Sequence, residues 1–194
     1  MQPIGFAMEL PKELGKRLET FQIMFDYLDN FDNPIIIETG TTRTIGNLDG
    51  DGNSTVLFSN YLDQRGCGHL YTIDIDPEAC KIAEENTGDR VTVICSDSLK
   101  ALPLGVTPNL LYLDSYDLDL GKAINGGGDR ESSEHHLKEL MAALPDLSKD
   151  TLVVVDDALP KWNWGKAADV KDYYDYLDIS PLFSDYQVGW IHGH

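Results

Sequence analysis

Ile35-Ile36-Ile37-Glu38-Thr39-Gly40-Thr41 is an apolar run that ends on an acid and a glycine, and Tyr71-Thr72-Ile73-Asp74-Ile75-Asp76-Pro77 repeats the form one unit later. A short, continuous apolar run bounded by turn residues reads as a strand buried on both faces. Two such strands in succession deliver Glu38 and Asp74 to the same edge of one parallel sheet. Ligands of doubly wound sheets bind at that edge: a glycine turn after the first strand lets the backbone come close, and the acid after the second accepts from a ribose hydroxyl. The pair predicts an adenosyl-binding edge.

Working outward, apolar runs predict strands at 35–40, 69–75, 90–96, 109–114, 151–156, 179–183 and 186–192, with helices at about 54–65, 77–86, 98–102, 132–147 and 165–177 between them. Such alternation is the signature of a parallel sheet covered on both faces. Only Ser184-Asp185 separates the last two strands, too short for a crossover, so they pair as a hairpin and one runs antiparallel. The fold class expected is therefore α/β: a doubly wound, mostly parallel, seven-stranded Rossmann-like sheet with a terminal antiparallel hairpin strand. Leu10, Leu14, Leu18, Phe21, Phe25 and Leu28 recur at steps of three and four, which predicts a helix from near Pro11 packing on the sheet within residues 1–32. With 194 residues and no linker or repeat, a single domain over 1–194 is expected.

Fifteen Lys and Arg against 33 Asp and Glu give a formal charge of −18. That balance repels a phosphate backbone and anionic lipid, so neither a nucleic acid nor a membrane is an expected partner. Cys67, Cys80 and Cys95 are odd in number and lack Cys-x-x-Cys spacing, which points away from a disulfide framework and from a thiolate zinc site. No basic segment followed by an apolar stretch opens the chain, and no run approaches the roughly 18 apolar residues of a membrane span, so a cytoplasmic location is expected.

At the ligand edge, Glu38-Thr39-Gly40-Thr41 is followed eleven residues after the glycine turn by Gly52-Asn53-Ser54-Thr55, which opens the next helix. Gly52 can take positive φ, and Asn53 or Ser54 can cap the helix and leave N–H groups for a ligand. The compact Gly-x-Gly-x-x-Gly turn of a nicotinamide site is absent, so a cofactor without pyrophosphate, with a sulfonium and an amino acid end, fits better. Asp74 is placed for the ribose and Asp97-Ser98, after the third strand, for the adenine edge.

The succession Glu38-Thr39-Gly40, Tyr71-Thr72-Ile73-Asp74-Ile75-Asp76-Pro77-Glu78-Ala79, Cys95-Ser96-Asp97-Ser98 and Leu111-Tyr112-Leu113-Asp114-Ser115 resembles class I S-adenosylmethionine-dependent methyltransferases. Within them it resembles the small O-methyltransferase group that includes macrocin-type sugar methyltransferases and, more distantly, catechol O-methyltransferase. The resemblance implies methyl transfer from S-adenosylmethionine to a hydroxyl of a small molecule such as a sugar or other vicinal diol. It also implies a cofactor site lined by Glu38, Thr39, Gly40, Thr41, Gly52, Ser54, Asp74, Ile75, Asp97, Ser98 and Asp114. One departure is the polar segment Thr41 to Asp51, inserted where the family's glycine turn runs directly into the helix.

Asp114 ends one strand and Asp156-Asp157 end its expected neighbour, so three carboxylates should meet beside the methyl-donor pocket. Like charges at about 4 Å repel by roughly 4 kcal/mol per pair at an effective dielectric of 20, which predicts an offsetting cation. Hard oxygen ligands suit Mg²⁺ or another divalent ion, and in the resembling enzymes the corresponding acids hold Mg²⁺ against vicinal hydroxyls. Asp114, Asp117 and His135 are the catalytic candidates; for the general base the choice lies between Asp117, the family's second aspartate falling here on Tyr116, and one of His135 and His136 in the first turn of the next helix. Lys161-Trp162-Asn163-Trp164-Gly165-Lys166 follows and could fold over a substrate. The open cleft of so small a domain suggests a homo-oligomer. Rival readings are a metal-dependent hydroxylase on the same scaffold and a non-catalytic adenosyl-binding module.

Overall fold

The structure, a computed structural model, describes residues 8–48, 53–119, 121 and 129–194. Helices are α1 Leu18–Leu28, α2 Ser54–Arg65, α3 Pro77–Asn86, α4 Ser98–Ala101, α5 Arg130–Ala143 and α6 Ala168–Tyr176. Strands are β1 Ile35–Thr39, β2 His69–Asp74, β3 Val91–Cys95, β4 Leu110–Leu113, β5 Leu152–Val155, β6 Phe183–Ser184 and β7 Val188–Ile191. They form one seven-stranded sheet in the order β3-β2-β1-β4-β5-β7-β6. The first five are parallel, and β7 runs antiparallel to both β5 and β6. The expected fold class is the observed one.

Because side chains alternate along a strand, each central strand feeds two cores. Ile36, Leu110, Tyr112, Leu152 and Val154 face α1 and α2, where Phe21, Phe25, Phe58 and Tyr61 fill the first core. Phe25 and Tyr61 stack at 4.5 Å between ring centroids. Ile37, Leu111, Leu113, Val153 and Val155 face the second core, built with Leu140 of α5 and Val170 and Tyr174 of α6.

Two expected elements are corrected. The N-terminal helix does not run continuously from Pro11: Lys12–Arg17 is a 3₁₀ segment broken by Gly15 at φ 54°, and regular α-helix starts at Leu18. The sixth strand is shorter and later than 179–183. Ile179 spends its N–H on Tyr174 O at the end of α6, and Pro181 has none to give a ladder, so pairing begins only at Phe183. No helix among the described residues is long and apolar enough to cross a membrane.

The strand order reverses between β1 and β4, which opens a crevice at their carboxyl ends. Gly40 closes β1 at φ 82°, and a Cβ there would lie 2.5 Å from the backbone oxygen of Asp114. Only glycine lets the two strand ends approach so closely.

Candidate functional site

Asp74 stands at the centre of the crevice. Its Oδ2 accepts from Thr41 N at 2.9 Å and its Oδ1 from Asp76 N at 2.9 Å, so the turns after β1 and β2 are both tied to one carboxylate. Carboxylate oxygens carry further lone pairs, which remain for a ligand. Asp74 and Ile75 line two adjoining hollows of about 220 and 250 Å³.

The larger hollow is bounded by Ile75, Asp97, Ser98, Leu99, Tyr116 and His135. Ile75 is 72% exposed, an apolar side chain left open on the rim. Opposite, Tyr116 and His135 lie with ring centroids 5.3 Å apart. A slot with apolar and aromatic walls and a carboxylate at each end suits a purine with its ribose. Asp97 also caps α4 by accepting from Leu99 N at 3.0 Å. His135 Nε2 lies 3.3 Å from Glu139 Oε1 and 3.5 Å from Ser98 Oγ. The structure therefore places His135 with the slot and away from the acid cluster.

Glu139 is a residue that sequence reasoning missed. Fully buried, it accepts from Thr39 Oγ1 at 3.0 Å and Ser115 Oγ at 2.6 Å, joining α5 to the ends of β1 and β4. Burial alone would raise its pKa, but His135, His136 and Ser115 hold it below the usual glutamate value. Thr39 is thus a buried support, not a wall.

Glu38 is likewise buried beneath the crevice. Its Oε2 accepts from Thr55 Oγ1 and Thr72 Oγ1, both at 2.7 Å, whereas Oε1 has no hydrogen-bond partner. Burial pushes its pKa up to about 7, against the hydroxyl donors around it.

The smaller hollow holds the acids, together with Gly40, Thr41 and Ser54. Gly52 lies outside the described residues. Neither Asn53 nor Ser54 caps α2 with its side chain. Asn53, left-handed at φ 49°, instead braces the preceding loop, accepting from Gly46 N at 2.6 Å and donating to Thr44 O at 2.9 Å. Thr42 N donates to Thr55 Oγ1 at 3.0 Å, so the inserted polar segment is anchored on α2. At the outer rim Asp117 forms a two-point pair with Arg43, at 2.9 and 3.0 Å. That pairing holds its pKa below the ordinary aspartate value, which makes it a weaker base.

Asp114, Asp156 and Asp157 do converge. Asp114 N and Asp156 N extend the ladder beyond the strand ends, donating to Thr39 O and Leu113 O at 2.9 and 3.2 Å. Their charge is offset by two of the chain's own cations. Arg17 Nε donates to both oxygens of Asp156, at 2.9 and 3.1 Å, and Arg17 Nη2 to Asp157 Oδ1 at 3.2 Å. Lys166 Nζ lies 2.5 Å from Asp114 Oδ1 and 3.2 Å from Asp157 Oδ2. Burial disfavours the ammonium, yet the three aspartates outweigh it and lift the Lys166 pKa above the ordinary lysine value. Asp114 is itself held well above the usual aspartate range, first by burial and then by Asp156 and Asp157, against the pull of Lys166. Among the described residues no group of three or more His, Cys, Asp or Glu side chains is arranged to hold a metal ion.

A sequence search of curated proteins gives no match. The family described as "Methyltransferase domain" matches residues 50–158, more than half of the chain. Among solved structures the O-methyltransferase NovP is similar at 16% identity and a TM-score of 0.65, over 92% of this chain and 80% of that one. The MycE methyltransferase of the mycinamycin biosynthetic pathway, solved with Mg, S-adenosylhomocysteine (SAH) and mycinamycin VI, is similar at 13% identity and a TM-score of 0.61. That match covers 92% of this chain and 49% of MycE. CalS11, a calicheamicin methyltransferase, is similar at 15% identity and a TM-score of 0.58, over 97% of this chain and 88% of that one. At such identities the structures speak for the fold, and the family match for the activity. The chain belongs to the methyltransferase domain family and is a class I S-adenosylmethionine-dependent methyltransferase.

Proposed function

We propose that the chain methylates a hydroxyl oxygen of a small molecule, with adenosine in the slot between Ile75 and Tyr116 and the acceptor beside Asp114. The observation that carries this reading is Asp74, a carboxylate shared by both hollows and fixed by two backbone N–H groups, with lone pairs to spare for ribose hydroxyls. Asp97 bounds the adenine end, and Glu38 Oε1, buried without a partner, is an acceptor beneath the crevice for a cationic or hydroxyl group.

When bound, S-adenosylmethionine supplies a methyl group on a sulfonium. On the acceptor side Asp114 takes the hydroxyl proton, and the burial that raises its pKa makes it a stronger base than an ordinary aspartate. The acceptor's oxygen pair forms the new O–CH₃ bond as the S–CH₃ bond breaks, and the C–S electrons stay on sulfur. Holding the two reactants side by side supplies much of the acceleration.

The divalent ion expected from the three acids does not fit the donors as they stand. Both oxygens of Asp156 and of Asp157, and one of Asp114, are engaged by Arg17 and Lys166. A homo-oligomer would close the open cleft, and a lone monomer in sedimentation at micromolar concentration would refute it.

The test is methyl transfer from labelled donor across a panel of sugars and vicinal diols, alongside calorimetry of SAH. Binding with transfer to at least one hydroxyl supports the reading. Binding with no acceptor would favour a non-catalytic adenosyl module, and no binding at all would remove the proposal.

A further inference from the structure

We infer that Lys166 and Arg17 are built-in cations of the acceptor side, standing on Asp114, Asp156 and Asp157 where a divalent ion would otherwise be needed. The inference rests on the methyl-transfer reading and deepens it, because it makes that transfer independent of added metal.

The first support is occupancy. A hard divalent ion takes six or more oxygen ligands, with carboxylate lone pairs among them. Here Arg17 bridges Asp156 and Asp157, and Lys166 bridges Asp157 and Asp114, so the triad is linked end to end by two cations. An entering ion would have to expel an ammonium whose side chain is only 3% exposed or sit next to its charge.

The second support is the backbone that delivers Lys166. Asn163, Trp164 and Gly165 are three consecutive residues in the left-handed region, at φ 52°, 66° and 48°. That is an unfavourable conformation for a tryptophan, and such outliers persist where the surrounding structure fixes them. At Gly165 a Cβ would stand 2.1 Å from the backbone oxygen of Asp157, so only glycine lets this loop lie against the acid. The next residue is Lys166, whose N–H donates to that same oxygen at 3.3 Å. The loop is shaped to put an ammonium into the triad. Of its three N–H bonds, Asp114 and Asp157 engage two among the described residues, and the third is left for a molecule in the cleft that Lys166 lines.

The test is titration of the full chain with Mn²⁺, followed by the resonance signal of the free ion, for wild type, Lys166→Met and Asp157→Asn. Wild type should leave Mn²⁺ free to about 1 mM, and Lys166→Met, which uncovers Asp114 and Asp157, should bind one Mn²⁺ at least about ten-fold more tightly. One Mn²⁺ bound to wild type at micromolar level and lost in Asp157→Asn would overturn the inference. So would a Lys166→Met protein that folds and binds no better than wild type. If that variant does not fold, the wild-type titration decides alone. Calorimetry with SAH on the same samples separates the two readings: loss of SAH binding removes the methyl-transfer proposal and leaves the Mn²⁺ result standing.

Discussion

On one side of the cleft a single carboxylate, Asp74, is met by two backbone N–H groups. On the other side three carboxylates are met by two side-chain cations drawn from the N-terminal segment and from the loop before α6. The first arrangement is local, since Thr41 and Asp76 belong to the turns that the strand ends themselves create. The second is long-range, since Arg17 lies 139 residues from Asp156 and Lys166 lies 52 from Asp114. Acids held by turns stay open to a ligand, whereas acids held by cations are already neutralised.

The largest effect should come from breaking the long-range side. Arg17→Met leaves Asp156, 1% exposed, without its guanidinium, and loss of one partner of a buried pair costs about 3–5 kcal/mol. Urea unfolding should show that loss, and a cost under about 1 kcal/mol would mean the pair is idle.

Next is Glu38, a buried acid beneath the crevice that accepts hydrogen bonds from two threonine hydroxyls. Glu38 has its folded pKa raised to about 7, so the native state holds a proton that the unfolded chain releases near pH 4.5. Its contribution is complete at low pH and disappears as the pH rises through about 7. Glu38→Gln is neutral throughout, so its stability relative to wild type should climb by about 3 kcal/mol between pH 4 and 8. A difference that stays flat over that range would contradict the assignment.

The join between the two sides is Gly40. Gly40→Ala needs positive φ and drives a methyl into the Asp114 backbone, at an expected cost of about 2 kcal/mol in unfolding experiments. An unchanged midpoint would show that the strand ends have room to part. The smallest effect belongs to the rim: Arg43 and Asp117 form an exposed pair, and Asp117→Asn should change stability by about 0.5 kcal/mol or less. A large loss there would make the pair structural.

The same contrast explains what could be read from the residues alone. Strands and their terminal acids were legible because apolar runs and the turn residues after them are local signals. Asp74, Asp97 and Ile75 all line the slot, as their positions at strand ends imply. The need for a charge to offset the three aspartates was legible too, but not its source. Nothing near Arg17 marks it as a partner of Asp156, and the meaning of Gly165 depends on a loop path that only the folded chain defines. The place of His135 in the first turn of its helix is a local signal, but its neighbourhood with Tyr116 in the hollow comes only from the folded chain. Proline 181 could have warned against a strand from 179, since it offers no N–H to a neighbour.

On the reading proposed above, one carboxylate held by two turns organises the adenosyl site without a metal. The decisive experiment is calorimetric titration of SAH into EDTA-treated wild type and Asp74→Ala. We expect one-to-one binding in the wild type and a loss of at least about 100-fold in the variant, the lower end for two hydrogen bonds to a charged group. Absence of binding to the EDTA-treated wild type, or equal affinity in the variant, would contradict it.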